Sequence, residues 1–160
     1  HDTLLSSGRG KNLLSGGSGD DTISGGWDDT LLGGDGNDRL TSHPVGPMVH
    51  PSTMYADGGA GDDWFSVWIP RPLTEVRVTG GTGVDTYEML VRTNEVSSYS
   101  ITDFTVGAGG DCIDLNKLVE LSASRNIPLA AAISIGDGVR SGKATNLNLR
   151  HIQLSPFWGI

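Results

Sequence analysis

The first 88 residues are built on a nine-residue pattern of glycine, aspartate and apolar residues. Each unit reads glycine, glycine, any residue, glycine, any residue, aspartate, any residue, an apolar residue and one more. Complete units occupy 16–24, 33–41, 58–66 and 80–88, a unit one residue short occupies 25–32, and a degenerate unit occupies 7–15. A period this short leaves no room for ordinary helices and predicts a chain that turns every few residues.

Each unit combines a turn with a very short strand. Glycine takes positive φ and lets the backbone turn tightly. In the strand that follows, alternate side chains face opposite ways, so the central apolar residue points inward. The predicted inward residues are Leu14, Ile23, Leu31, Leu40, Phe65 and Tyr87. Because 24 of 160 residues are glycine and only 36% are hydrophobic, the predicted core is thin. A flexible glycine-rich linker would lack this apolar period.

The turns also have the composition of an oxygen-rich metal site. Glycine loops can aim backbone carbonyls inward, the aspartate adds a carboxylate, and calcium prefers about 6–8 such oxygens. In these features the chain resembles the RTX, or hemolysin-type, calcium-binding repeats. The resemblance implies an all-β fold, a right-handed parallel β-roll in which two units make one turn. It also implies several Ca²⁺ ions between loops that stack on the same edge.

The resemblance assigns a metal ligand set to this chain. It implies that Asp21 shares a calcium with Asp38, and that Asp85 extends the same edge. For Asp29 the shared partner is either Asn12 or Asp63. The candidate metal ligands are Asn12, Gly16, Gly19, Asp21, Gly25, Asp29, Gly33, Gly36, Asp38, Gly58, Gly61, Asp63, Gly80, Gly83, Asp85, Asp103, Asp111 and Asp114.

The acidic balance of the chain constrains its partners and its folding. A net charge of −8 argues against direct binding to nucleic acid or to an anionic membrane. Without metal the aspartates of the repeats repel one another, so we expect folding and calcium binding to be coupled. Calcium is abundant outside the cell, so we predict a secreted or cell-surface protein.

The pattern divides the chain into two regions. Residues 1–90 are predicted to form the roll, with a proline-containing loop near 42–56 where His43 and His50 are expected to be exposed. Residues 91–160 are predicted to cap the roll and to continue it. No apolar run is long enough to span a bilayer. Because the chain starts without methionine, we expect it to be part of a longer protein, monomeric within that chain.

The predicted cap has three elements. The ITDF and DCIDL segments resemble those that close RTX rolls. This resemblance implies a final calcium site at Asp103, Asp111 and Asp114. The alternative role of Asp114 is that of a helix N-cap. Leu115, Leu118, Val119 and Ser122 fall on one face of a short predicted helix. A β-hairpin is predicted after residue 127. Cys112 is expected to be a buried thiol. The resemblance implies export of this C-terminal region by type I secretion machinery.

No catalytic constellation accompanies the repeats. The sequence contains neither the H-E-x-x-H motif of zinc proteases nor the G-x-S-x-G motif of serine hydrolases. We therefore expect a non-catalytic module. The alternative is a module that binds an extracellular polysaccharide through Trp64, Trp68 and Arg77, with Trp64 and Trp68 on the outward side of one strand. Cover by the neighbouring proline-containing loop is the other interpretation of these two tryptophans.

Overall fold

The computed structural model describes residues 1–6, 10–42, 52–69, 74–91, 98–114, 116 and 147–150. These residues form two six-stranded sheets, here called the odd and the even sheet, and consecutive strands alternate between them. The odd sheet contains β1 (Thr3–Leu5), β3 (Thr22–Gly25), β5 (Arg39–Ser42), β7 (Trp64–Ile69), β9 (Thr86–Val91) and β11 (Cys112–Asp114). The even sheet contains β2 (Leu13–Ser18), β4 (Thr30–Asp35), β6 (Ser52–Ala60), β8 (Thr74–Thr82), β10 (Ser98–Ile101) and β12 (Leu147–Arg150).

Neighbouring strands are parallel and their repeats are in register. Ile23 pairs with Leu4 on one side and with Leu40 on the other, so equivalent positions of successive units lie beside each other. The same holds for Leu31 between Leu14 and Ala56. The chain is therefore an all-β parallel solenoid, as predicted. Within the described residues, the antiparallel exception is β12, which pairs with β10 at the end of the even sheet.

The core lies between the two sheets and consists of the central residue of each strand. All six predicted inward residues are buried; Ile23, Leu31, Leu40, Phe65 and Tyr87 are fully inaccessible, and Leu14 is 8% exposed. Complete burial of such side chains stabilises the fold by about 1.5–3 kcal/mol each. The Phe65 and Tyr87 rings stack in parallel, 5.1 Å between centroids, and Phe104 packs against Tyr87 at 6.0 Å. The sequence prediction of this core is confirmed.

The roll widens from β6 onward. Strands β6 and β8 have nine residues each, whereas β1 to β5 have three to six. The extra length adds a second row of inward side chains, Met54, Val67, Val76 and Tyr99, all buried. The later turns therefore have a core two side chains wide.

Two expectations differ from the structure. The predicted loop at 42–56 is too long, because Ser52–Ala56 already belongs to β6 and is paired along its length with β8. The prediction that Cys112 is buried is wrong: its thiol is exposed. Strand alternation explains this, since Ile113 is the residue that packs against the core and its neighbour must then face outward.

Parts of the predicted cap lie outside the described residues. These parts are the helical residues Leu115, Leu118, Val119 and Ser122, the first strand of the hairpin, and the loop histidines. Strand β12 falls within the predicted last strand, and its described partner is β10. Within the described ranges, we find no helical segment with the length and hydropathy that a bilayer span needs.

Candidate metal sites

The complete repeats all place their loops on one side of the solenoid. Each loop joins an even strand to the next odd strand, and the loops 16–21, 33–38, 58–63 and 80–85 stack directly on one another. We call this side the glycine edge. The described residues 6 and 10–12 at the degenerate unit, and residues 25–29 of the shortened unit, lie where the chain passes from the odd to the even sheet. We call that side the opposite edge.

The three glycines of a loop are required for two different reasons. The second and the fourth position, such as Gly34 and Gly36, have φ of +118° and +132°, a conformation that favours glycine. A Cβ at either would also collide with the backbone of the preceding loop, at Gly17 and Gly19. The first glycine has no such φ. At this position any larger side chain is excluded, because two oxygen atoms occupy the space where its Cβ would lie.

Those two oxygens define a cradle that recurs along the glycine edge. A Cβ at Gly33 would collide with Asp38 Oδ2 of its own loop and with the carbonyl oxygen of Gly58 in the next loop. The cradles at Gly16 and Gly58 have the equivalent pair. Their atoms are Asp21 Oδ2 with the Gly33 carbonyl, and Asp63 Oδ2 with the Gly80 carbonyl. Each cradle thus combines one carboxylate oxygen with one carbonyl oxygen from the adjacent turn.

The aspartates of these loops form a continuous acidic row. In each, Oδ1 accepts a hydrogen bond from the backbone N–H of the aspartate one turn earlier. The distances are 2.7 Å from Asp21 N to Asp38, 2.8 Å from Asp38 N to Asp63, 3.0 Å from Asp63 N to Asp85 and 3.0 Å from Asp85 N to Asp111. Asp2 donates to Asp21 in the same way and begins the row. Asp2 was not among the predicted site residues, although Asp2-Thr3-Leu4 matches Asp21-Thr22-Ile23.

In three members of the row the second carboxylate oxygen has no partner among the described residues. Oδ2 of Asp21, Asp38 and Asp63 is buried without a hydrogen bond. Burial, together with the charges of neighbouring carboxylates, raises the pKa of Asp63 to about 7 and that of Asp85 to about 6. Burial also raises the pKa of Asp38. Burying an unpaired carboxylate destabilises the fold, so a cation bound beside the row would stabilise it.

A hard, oxygen-seeking cation fits these cradles. Calcium takes carboxylate and backbone carbonyl oxygens together, which are the two kinds of atom that converge beside Gly16, Gly33 and Gly58. Among the described residues, no three His, Cys, Asp or Glu side chains gather in one place. Within these residues the arrangement lacks the side-chain clusters that transition metals prefer, and its candidate ligands are carboxylate and backbone carbonyl oxygens.

A comparison with protein-family models agrees with this geometry. The model described as the RTX calcium-binding nonapeptide repeat (4 copies) matches residues 2–29. The chain therefore contains RTX calcium-binding repeats. No curated protein and no solved structure gives a significant match. RTX repeats bind Ca²⁺, so the chain contains a calcium-binding module, and a β-roll of this type is a structural element that is generally non-catalytic.

The opposite edge of the RTX roll is chemically different. Asp29 Oδ1 accepts hydrogen bonds from the backbone and the side chain of Asn12, at 2.9 and 2.8 Å, and Oδ2 accepts one from Gly26 N at 2.7 Å. Burial alone would raise the pKa of Asp29, but these bonds, with one from Ser6, lower it. At Gly25 an added Cβ would meet Leu31 and Asp29, with no carbonyl from another loop among its nearest atoms. This edge satisfies its carboxylate within the chain.

The sequence left the partner of Asp29 open between two residues. The structure places it with Asn12, whereas Asp63 belongs to the row on the glycine edge, next to Asp38. The pairing of Asp29 with Asp63 is therefore wrong. Strand β6 explains the difference, because its first part, residues 52–57, belongs to the roll but carries no repeat signature. Asp85 extends the row that contains Asp38, as expected, through Asp63.

The three aspartates of the closing segment use their oxygens within the chain. Asp103 accepts hydrogen bonds from Gly80 N and Gly81 N at 2.9 and 2.8 Å. Asp111 accepts them from Asp85 N and from Thr105 N at 3.0 and 2.7 Å. Asp114 accepts one from Asn116 N at 2.8 Å, which is the capping geometry given above as the alternative role. Among the described residues these aspartates form no metal-binding group of three side chains, and of the three it is Asp111 that continues the acidic row.

Among the described side chains of the polysaccharide alternative, Trp64 and Arg77 do not lie on one surface. Trp64 lies on the odd sheet, where the Arg39 guanidinium covers its ring at 3.6 Å from the centroid. Arg77 lies on the even sheet and forms a salt bridge with Glu75 at 2.8 Å. The side chain of Trp68 and the proline-containing loop lie outside the described residues. Trp64 and Arg77 are thus on different sheets, each with a partner in the chain.

Proposed function

We propose that this RTX roll is a folding switch that responds to calcium outside the cell. The observation that carries the proposal is the row of buried carboxylate oxygens without partners at Asp21, Asp38 and Asp63. In calcium-poor surroundings these charges oppose the stacking of the turns. Bound calcium removes that penalty, because a ligand that binds the folded state alone stabilises it by mass action.

The cradles explain why ion binding would drive the stacking of strands. Each contains an oxygen of its own loop and a carbonyl oxygen from the next loop, so a bound ion contacts two consecutive turns. In a solenoid each turn contacts only its neighbours, and stability is close to a sum of these interfaces. One ion at 100 times its Kd would add about 2.7 kcal/mol to such an interface. Several ions in a row would make the transition steep.

We further propose that this switch serves secretion and then stabilises the parent protein. Cytosolic calcium is scarce, so the chain would remain unfolded during export and fold where calcium is plentiful. Residues 91–160 would carry the region that the type I secretion machinery recognises, and the roll of 1–90 would fold after export. The proposed location is the extracellular medium or the cell surface.

A calcium titration followed by far-UV circular dichroism tests the switch. The parent should gain β structure cooperatively with calcium and not with magnesium, and Asp21→Ala and Asp38→Ala should require more calcium. Full β structure in excess chelator, unchanged by calcium, would contradict the proposal.

Export is tested separately. A chain shortened by residues 127–160 and co-expressed with a type I system should stay inside the cell, whereas the full chain should reach the medium. Equal export of both would refute the secretion role without affecting the folding switch.

A further inference from the structure

The Tyr87 hydroxyl is buried without a hydrogen-bond partner. Tyr87 is fully inaccessible to solvent, and Oη has no partner among the described residues. Its ring stacks on Phe65 of the preceding turn, with an interplanar angle of 7°, so a phenylalanine would fill the same core position. A buried hydroxyl without a partner destabilises a fold by about 1–3 kcal/mol. The position of this oxygen therefore requires an explanation that core packing does not supply.

The hydroxyl points at the last cradle of the glycine edge. A Cβ at Gly80 would collide with Asp85 Oδ2 and with Tyr87 Oη. In the three preceding cradles the atom in the second role is the carbonyl oxygen of the first glycine in the next loop. At Gly80 no such carbonyl is among the nearest atoms. The phenolic oxygen takes its place beside the carboxylate.

The next turn shows why a substitute is needed there. Its loop, 106–111, has Val106 where a complete unit has its first glycine, although Gly107 and Gly109 keep the positive φ of the second and fourth positions. A Cβ at Gly107 or Gly109 would meet nothing within 4 Å, so this loop does not stack closely on its predecessor. Asp111 still extends the row, but both of its oxygens accept backbone hydrogen bonds.

We propose that the Tyr87 hydroxyl is an oxygen ligand of the last calcium in the row, in place of the backbone carbonyl that loop 106–111 does not bring close to Gly80. The proposal rests on calcium binding by the glycine edge. It makes the terminal site, between Asp85 and Asp111, different in composition from the three inner sites. A neutral phenol donates a lone pair as a carbonyl does, so the substitution keeps the charge of the cradle unchanged.

The test compares Tyr87→Phe with Tyr99→Phe. Tyr99 is 1% exposed and its hydroxyl is also unpartnered, but it is not among the atoms nearest to the Gly80 cradle. Both variants remove one orphan hydroxyl from the same core. Calcium binding is measured by titration calorimetry, and stability by urea unfolding in excess chelator and in saturating calcium.

Tyr87→Phe should behave differently in chelator and in calcium, whereas Tyr99→Phe should not. In chelator both variants should equal or exceed the parent in stability, because each loses an unsatisfied polar group. In calcium, Tyr87→Phe should lose one site or bind there at least about tenfold more weakly, since even indirect changes around a metal cost about 10–100-fold. Tyr99→Phe should bind as the parent does.

Three results would overturn the proposal. If Tyr87→Phe binds the same number of ions with the same affinities, the hydroxyl is not a ligand. If Tyr87→Phe loses equal stability in chelator and in calcium, the hydroxyl has a purely structural role. If the parent binds no calcium, the proposed function fails together with this inference; the first two results leave it intact.

Discussion

Replacing Asp63 by asparagine should stabilise the metal-free roll and weaken the calcium-bound one. Asp63 lies in the middle of the acidic row and is 1% exposed. An asparagine keeps the Oδ1 atom that accepts the hydrogen bond from Asp38 N at 2.8 Å. It removes the negative charge and replaces the unpartnered Oδ2. The substitution therefore separates the cost of the buried charge from the stacking of the loops.

The magnitude follows from the pKa of this group. Burial, followed by the charges of Asp85 and Asp38, raises the pKa of Asp63 from 3.8 to about 7. That difference corresponds to at most about 4 kcal/mol, because one pKa unit is worth about 1.4 kcal/mol. Relaxation and water entry lower the cost of a buried charge, so we expect a gain of about 1–3 kcal/mol in chelator at about pH 8. In calcium the variant should lose at least one ion and with it about 2–3 kcal/mol.

The assay is urea unfolding monitored by circular dichroism, in excess chelator and in saturating calcium. Asp62→Asn is the matched control. Asp62 belongs to the same loop and is exposed, and its Oδ1 accepts a hydrogen bond from Val84 N at 2.8 Å that an asparagine would keep. It should change stability by less than about 0.5 kcal/mol in both conditions. An Asp63→Asn variant that is destabilised in chelator, or that keeps the full calcium effect, would refute the reasoning.

Three further predictions concern the opposite edge, the glycines and pH. Asp29→Ala should lower the free energy of unfolding by about 2–4 kcal/mol, equally in chelator and in calcium, because it leaves the Asn12 and Gly26 N–H groups unpaired. If calcium restores the stability of this variant in urea unfolding, the opposite edge binds metal. Gly34→Ala should abolish cooperative unfolding, because its Cβ would collide with the Gly17 carbonyl. Gly10 is also at positive φ but an added Cβ would meet nothing within 4 Å, so Gly10→Ala should cost only about 1–2 kcal/mol. Equal melting temperatures of the two variants would contradict the stacked loops. In chelator, stability should rise as the pH falls from about 7 to about 4, because the folded state binds protons at Asp63, Asp85 and Asp38 that the unfolded chain does not. Calcium should bind more weakly over the same pH range. A fall in the stability of the chelated protein over that range, measured by urea unfolding, would contradict the raised pKa values.

The repeat period was sufficient to predict the sheets, the core and the stacking of Asp21 on Asp38. Each unit carries a turn signal and one apolar position at a fixed phase, so local conformation and burial agree at every turn. These features depend on residues close together in the sequence, which a periodic pattern describes well.

The partner of Asp29 and the length of the loop depended on the first part of β6, residues 52–57, which carries no repeat signature. Asp21 and Asp38 are 17 residues apart, whereas Asp38 and Asp63 are 25 apart. That spacing does not show whether the intervening residues add a half turn of roll. The alternation of Met54 and Ala56 with polar neighbours was the available signal for β6. The same period of two, applied from Ile113, would have placed Cys112 outside.

The roles of individual oxygens could not be predicted from the repeats. Asp29 and Asp38 occupy equivalent motif positions, yet the first accepts three hydrogen bonds from Asn12 and Gly26 while the second keeps a buried oxygen without a partner. The difference arises from which loops stack on each edge. It depends on the register between turns, which the motif itself does not encode.

The most direct test of the account is a crystal structure of the chain grown in calcium, with an anomalous difference map to locate the ions. We expect a single row of calcium ions along the glycine edge, each between consecutive loops and in contact with Oδ2 of an aspartate of the acidic row. Ions beside Asn12 and Asp29, or a glycine edge without ordered calcium, would contradict it.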